Sequence, residues 1–280
     1  MKKGFFIQSN KKQILGAYLA KYAFEKLYKG SDKIETTIML VEDIPEFRNF
    51  VGKKYKRGER EITYNPSDLQ SFTLTRFMPP ELMNFDGRAV VIDPDIFAIS
   101  DVSYLFEMNL GNNSIAACRK KDAWDSSVMV LDCQKLKHWK VSDWLQKLEN
   151  LKMDYDRIMT LKDERDVLEI PRTWNSLDYA DLETKFLHTT NRLTQPWRTG
   201  LPIDFTRQKM PKLFGIIPRE PIHKILGKYP THYQKHKDEN IEKIFLFLLK
   251  NAMRDGVINR YVIEQEVSAG HVRKDIFDIL

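Results

Sequence analysis

The residues best placed to do chemistry are Asp93 and Asp95, one position apart around Pro94, directly after the apolar run Ala89-Val90-Val91-Ile92. Two hard oxygen ligands at this spacing can share a Mg²⁺ or Mn²⁺ ion, with phosphate oxygens completing its shell. Pro94 stiffens the turn between them. By spacing alone the triplet reads equally as a solvated turn, and the chain holds a second copy of it, Asp154-Tyr155-Asp156. His188 follows Phe186 and Leu187, so it reads either as a core histidine or as a borderline metal ligand.

For Asp93 and Asp95 to act together, a strand must end at them. Arg88 to Ile92 has the apolar, branched character of a buried strand. Phe5-Phe6-Ile7-Gln8 reads as a first strand, Asn10 as the cap of a helix over Lys11 to Lys29 closed by Gly30, and Ile34 to Val41 as a second strand. This β-α-β opening predicts a parallel sheet with ligands gathered at the carboxyl ends of its strands. Lys53, Lys54, Lys56 and Arg57 read as a basic loop. Phe72 to Met83 reads as a helix kinked or restarted at Pro79-Pro80. Further strands are expected at Ser114 to Cys118 and Val128 to Leu131, with a helix over Val141 to Leu151.

From Thr206 the character changes. Arg207, Lys209, Lys212, Arg219, Lys224, Lys228, Lys235 and Lys237 face a single acid, Glu220. The chain is thus expected to divide into a nucleotide-binding domain over 1–205 and a basic appendage over 206–280. The appendage includes an amphipathic helix from Glu239 to Met253, capped by Asp238, and a mixed-charge tail.

Over its 280 residues, 42% are hydrophobic and 30% charged, a globular composition. A net charge of +6 favours anionic partners. Cys118 and Cys133 each adjoin an apolar stretch and read as buried hydrophobes, which excludes a cysteine metal site. No run approaches the roughly 20 apolar residues of a membrane span, and the N-terminus lacks a signal-peptide pattern. A cytoplasmic protein is expected, with the basic appendage resting against the inner face of an anionic membrane.

Several segments together resemble a known family. Phe72-Thr73-Leu74-Thr75-Arg76-Phe77-Met78-Pro79-Pro80-Glu81-Leu82 and Gly87-Arg88-Ala89-Val90-Val91-Ile92-Asp93-Pro94-Asp95-Ile96 resemble the helix, strand and DxD segment of glycosyltransferase family 8-like enzymes. Asp101 to Leu105, Ser126 to Cys133, Trp174-Asn175-Ser176-Leu177 and Phe186 to Thr190 leading into Gln195-Pro196-Trp197 follow in the family's order. The resemblance spans about Phe5 to Trp197.

It implies a GT-A fold: a Rossmann-like mixed sheet flanked by helices, here followed by the basic helical appendage. It also implies a divalent cation, a UDP-sugar donor, a glycan or glycolipid acceptor, and retention of anomeric configuration. Carried over by position, Asp93, Asp95 and His188 would hold Mn²⁺ or Mg²⁺, with Asp93 also near the ribose. Gln8, Ser9 and Asn10 would read the base, although Asn10 also reads as a simple helix cap. Arg76 would touch phosphate or sugar hydroxyls, Asp125 and Ser126 the donor sugar, and Asp154 a sugar hydroxyl. The chain departs from the family where Tyr155 replaces a Gln nearest the reacting carbon. Asn191 and Gln195 replace the Gly and Lys of the phosphate loop, which shifts diphosphate binding to Arg192 or Arg198.

Three other readings compete. A nucleotidyltransferase would also pair carboxylates at a sheet edge, but Ile7 to Gly16 lacks its glycine-rich loop. A nucleic-acid-binding protein would use the basic appendage with Tyr229, Tyr233 and His236 for stacking, a reading set below that of a solvated basic surface. An inactive relative would bind a nucleotide sugar without transferring it.

Overall fold

A computed structural model describes residues 1–205 and 230–280. The basic stretch from Arg207 to Lys228 lies outside the described residues, and so does any structural reading of it. The chain forms two compact units, Met1–His188 and Thr189–Leu280.

In the first unit, the strands β1 (Lys3–Ser9) and β2 (Glu35–Leu40) pair in parallel, joined by a 3₁₀ turn over Lys11–Gln13 and the helix Ile14–Leu27. Two further strands pair through Tyr55↔Ile62: β3 (Lys54–Arg57) and β4 (Arg60–Thr63). Lys54, Lys56 and Arg57 thus lie on a hairpin strand and not in the basic loop expected from sequence. Gly58 at φ +58 is the reason the chain can fold back so tightly. After β5 (Arg88–Ile92) and β6 (Ile96–Ala98) come β7 (Ile115–Lys120), β8 (Ala123–Asp132) and β9 (Val167–Ile170). Finally β10 (Ser176–Leu177) and β11 (Phe186–His188) close the unit.

The main sheet has six strands in the order β2-β1-β5-β8-β7-β9. The β-α-β opening predicts a parallel sheet, and β2, β1 and β5 are parallel. The sheet as a whole is mixed, because β7 and β8 form a hairpin through Lys121 and Asp122, which lays β8 antiparallel against β5. A short turn can join only antiparallel neighbours.

Alternation along β1 divides the core. Phe5 points to one face and stacks on Phe24 of the first helix, ring centroids 3.8 Å apart. Phe6 points to the other and joins a cluster with Phe77, Trp139, Met129 and Leu131. Each such buried side chain contributes about 1.5–3 kcal/mol. Cys118 and Cys133 are free and buried, and burial pushes both thiols up to about 12.

The expected helix over Phe72 to Met83 is a 3₁₀ turn, Thr73–Phe77, followed by a helical turn, Pro79–Leu82. Pro79 and Pro80 supply no N–H to the preceding turn and sit at the start of the next. In the second unit the amphipathic helix runs from Glu239 to Arg254, and Asp238 accepts from the Asn240 backbone N–H as its cap. A further helix, Arg260–Ser268, occupies part of what reads in sequence as a tail. Among the described residues no helix is long and apolar enough to cross a membrane.

Gly87 fixes the entry to β5. It sits at φ +80, and a Cβ there would come within 2.2 Å of the Lys2 backbone oxygen. That oxygen accepts from the Arg88 N–H at 2.8 Å, so it cannot move without breaking the start of the β1–β5 pairing. Gly87→Ala is expected to cost about 2 kcal/mol and lower Tm by roughly 5 °C. Calorimetric unfolding of both proteins checks this, and an unchanged Tm would show that the strand entry is not constrained.

Candidate functional site

The local fold explains how three distant residues meet. Strand β5 ends at Ile92, Asp93 and Asp95 occupy the turn that follows, and β6 starts at Ile96. Strand β11 pairs antiparallel with β6 in a second, three-stranded sheet, with His188 opposite Ile96. The register therefore sets the imidazole beside Asp95. His188 Nε2 lies 3.5 Å from Asp95 Oδ1. One ligand atom from each of Asp93, Asp95 and His188 lies within 4.8 Å of the others.

Asp93 is buried and densely partnered. Arg76 donates through one amino group to both carboxylate oxygens, at 2.7 and 2.9 Å, and through the other to Ser126 Oγ at 2.7 Å. The Gln8 side-chain amide also donates to Asp93, while Gln8 Oε1 is buried with no hydrogen-bond partner among the described residues. Burial holds the Asp93 carboxyl above its usual range and Asp95 adds to this, against the opposing pull of Arg76. For His188, burial alone would lower the pKa, but the carboxylates of Asp95, Asp93 and Asp125 outweigh it and the group is raised. The site thus carries an excess of negative charge that favours a cation.

The donor set fits a divalent ion. Two carboxylates and an imidazole suit Mn²⁺ or Mg²⁺ better than a soft metal. The ring of His188 is also oriented for the task. Its Nδ1 lies 2.9 Å from Asn175 Oδ1, which accepts, so Nδ1 carries a proton and Nε2, facing Asp95, is the nitrogen that a metal would take in place of its proton. Asn175, fully buried, donates in turn to Ser127 Oγ at 2.9 Å. Ser127 donates to Asp125 at 2.6 Å, and Arg172 donates to the other Asp125 oxygen at 3.0 Å. Although burial works against ionisation of Asp125, the hydrogen bonds from Ser127 and Arg172 prevail and hold its carboxyl near 2.

The other residues named from sequence are placed as follows. Ser9 donates to the Asn10 carbonyl, and all of Gln8, Ser9 and Asn10 are buried. Asn10 caps the first turn, accepting from the Gln13 N–H at 3.1 Å and donating to Asp68 O and Ser71 Oγ. Asp154 caps the helix Tyr155–Met159 by accepting from the Asp156 N–H at 2.8 Å. Tyr155 is buried, with its hydroxyl 2.6 Å from Thr73 Oγ1. Arg192 belongs to the second unit, where its guanidinium lies over Phe205. Arg198 is fully buried there and donates to Asp204 and to the Tyr233 hydroxyl.

Sequence reasoning assigned no role to Asn175, Ser127 or Arg172. The signal that could have found Asn175 is a neutral amide directly after Trp174 and ahead of Ser176-Leu177, since an amide buried with such a neighbour needs partners of its own.

No family model matches this sequence, and no curated protein matches it. Solved structures do. An active-site mutant of LgtC is 11% identical, with a TM-score of 0.50, covering 80% of this chain and 95% of that one. Mouse xyloside xylosyltransferase 1 is 12% identical, with a TM-score of 0.46, covering 68% and 98%. The bifunctional glycosyltransferase WbbM is 12% identical, with a TM-score of 0.49, covering 71% of this chain but only 47% of its own length. The six-stranded mixed sheet with flanking helices is the GT-A glycosyltransferase fold.

If Asn175 sets the tautomer of His188, Asn175→Ala should weaken Mn²⁺ binding about 10- to 100-fold. Electron paramagnetic resonance titration of free Mn²⁺ measures this directly. Unchanged affinity in a folded variant would show that the ring needs no such support.

Proposed function

We propose that this chain is a glycosyltransferase that takes a nucleotide-sugar donor, a UDP-sugar, and moves the sugar to an acceptor hydroxyl with retained configuration. The observation that carries this reading is the meeting of Asp93, Asp95 and His188 at the carboxyl end of β5, within the GT-A fold. Asp93, Asp95 and His188 would hold Mn²⁺ or Mg²⁺, which when bound supplies Lewis-acid neutralisation of the diphosphate leaving group. In the transfer, the bond from the sugar's anomeric carbon to the diphosphate oxygen breaks and one to the acceptor oxygen forms. The acceptor's proton leaves to the departing diphosphate or to solvent.

The chain's own residues serve this in distinct ways. Arg76 holds Asp93 in place and presents its guanidinium beside Ser126, where a sugar hydroxyl would lie. Gln8 fixes Asp93 from the side of β1. Asp125, kept ionised, accepts hydrogen bonds along the edge of β8. Asp154 is assigned to a sugar hydroxyl. Tyr155 places a phenol where the related enzymes have an amide, so a second reading, a donor-binding protein that does not transfer, is favoured by that one substitution.

A panel of nucleotide sugars with Mn²⁺ tests the proposal by thermal shift. A donor at 100 times its Kd should add about 2.7 kcal/mol of stability, and Asp93→Ala should abolish the gain. Donor hydrolysis or transfer, followed by release of UDP, separates the enzyme from the binding protein. Asp154→Asn should keep UDP binding and lose transfer, because asparagine caps a helix about as well as aspartate but lacks its charge. If no nucleotide sugar stabilises the wild-type protein in the presence of Mn²⁺, the proposal fails.

A further inference from the structure

Beside the Asp93 site, a cavity of about 700 Å³ opens between the tip of the β7–β8 hairpin, β3, the Thr73–Phe77 turn and the segment from Tyr155 to Glu164. Its size is that of a small-ligand pocket. Arg76 and Ser126 belong to its wall, so it adjoins the proposed donor position through the same guanidinium that holds Asp93.

The charges around this cavity do not balance. Of its four acids, three are engaged from the protein side. Asp125 accepts from Arg172 and Asp156 from Arg57, while Glu164 accepts from the Trp139 indole at 2.7 Å. Arg57 and Arg76 are consumed in these contacts and in the pair with Asp93. That leaves Arg119, Lys120, Lys121 and Lys162 on the exposed rim against Asp122 and the charge of Glu164, whose indole partner is neutral. Four cations around one concave opening make a positive field that concentrates anions. Arg119 is already ordered, its guanidinium 4.7 Å over the ring of Trp124, which lowers the further entropic cost of holding an anion. The wall also has half-exposed Trp124, whose ring Arg119 covers from one side, beside the buried ring of Tyr155.

We infer that this cavity receives an anionic sugar, one that carries a phosphate or carboxylate toward the Arg119–Lys121 hairpin tip. On the transferase reading, on which the word acceptor alone rests, this sugar is the acceptor. Neither a neutral glycan nor a flat protein surface makes use of a rim with this charge. The phosphate and carboxylate forms share the chemistry of a charge-assisted hydrogen bond to arginine or lysine.

The experiment uses the full chain, saturated with Mn²⁺ and UDP, titrated calorimetrically with glucose 6-phosphate, glucuronate and glucose. At least one of the two anions should bind about tenfold or more tightly than glucose, and the preference should shrink as ionic strength rises. Which anion binds tells the phosphate from the carboxylate form. In Lys120→Glu/Lys121→Glu, at an exposed hairpin tip, the anion should fall to the affinity of glucose while UDP binding stays as in wild type. Equal binding of all three sugars overturns the inference, as does an anion preference that survives the charge reversal. The titrations are repeated without UDP. Anion binding there, in a protein that does not bind UDP, would sink the donor reading and leave the anion cavity standing.

Discussion

Three carboxylates, Asp93, Asp95 and Asp125, lie close together at the carboxyl edge of a buried sheet, and the need to compensate their charge shapes everything around them. A buried carboxylate without partners costs several kcal/mol, so it survives only when neighbours answer it. Arg76 and Gln8 answer Asp93, and Ser127 and Arg172 answer Asp125. Asp95 faces His188, and what remains is a pocket of negative charge with two carboxylates and an imidazole arranged around one point. A divalent cation is the partner that this geometry suits.

The sheets supply the precision. Parallel pairing of β1 and β5 puts Gln8 and Asp93 at neighbouring strand ends, while antiparallel pairing of β6 and β11 brings His188 back to Asp95 from far along the chain. Asn175, just ahead of β10, reaches the imidazole because β10 runs beside β11. The chain from His188 through Asn175, Ser127 and Asp125 to Arg172 links both sheets by side-chain hydrogen bonds. Disturbing any member changes the orientation of the next, so the site behaves as a connected unit rather than as separate ligands.

Much of this was legible in the sequence, and the reasons differ by residue. The strand Arg88–Ile92 and the turn at Asp93-Pro94-Asp95 were readable because an apolar run followed by polar residues is local information. The helix Glu239–Arg254 and its Asp238 cap were readable for the same reason. The β3–β4 hairpin was not, because Lys54, Lys56 and Arg57 mask the alternation of Tyr55 and Ile62. The antiparallel turn of β8 depends on a hairpin at Lys121-Asp122, which lacks the glycine or asparagine that usually announces one. Arg76 was placed at the donor, and its grip on Asp93 depends on a contact between segments that no local pattern encodes. The same holds for Asn175, whose partner is set by the pairing of β10 with β11.

The most direct test of the central claim is crystallographic. Crystals grown with Mn²⁺ and UDP should give an anomalous peak bound by Asp93, Asp95 and His188 Nε2, with UDP phosphate oxygens on its open side and Asn175 still on His188 Nδ1. Ligand distances should fall near 2.0–2.2 Å, the range for carboxylate and imidazole ligands of small divalent ions. An anomalous peak elsewhere, or UDP bound with no ion between those three side chains, would contradict the assignment of this site.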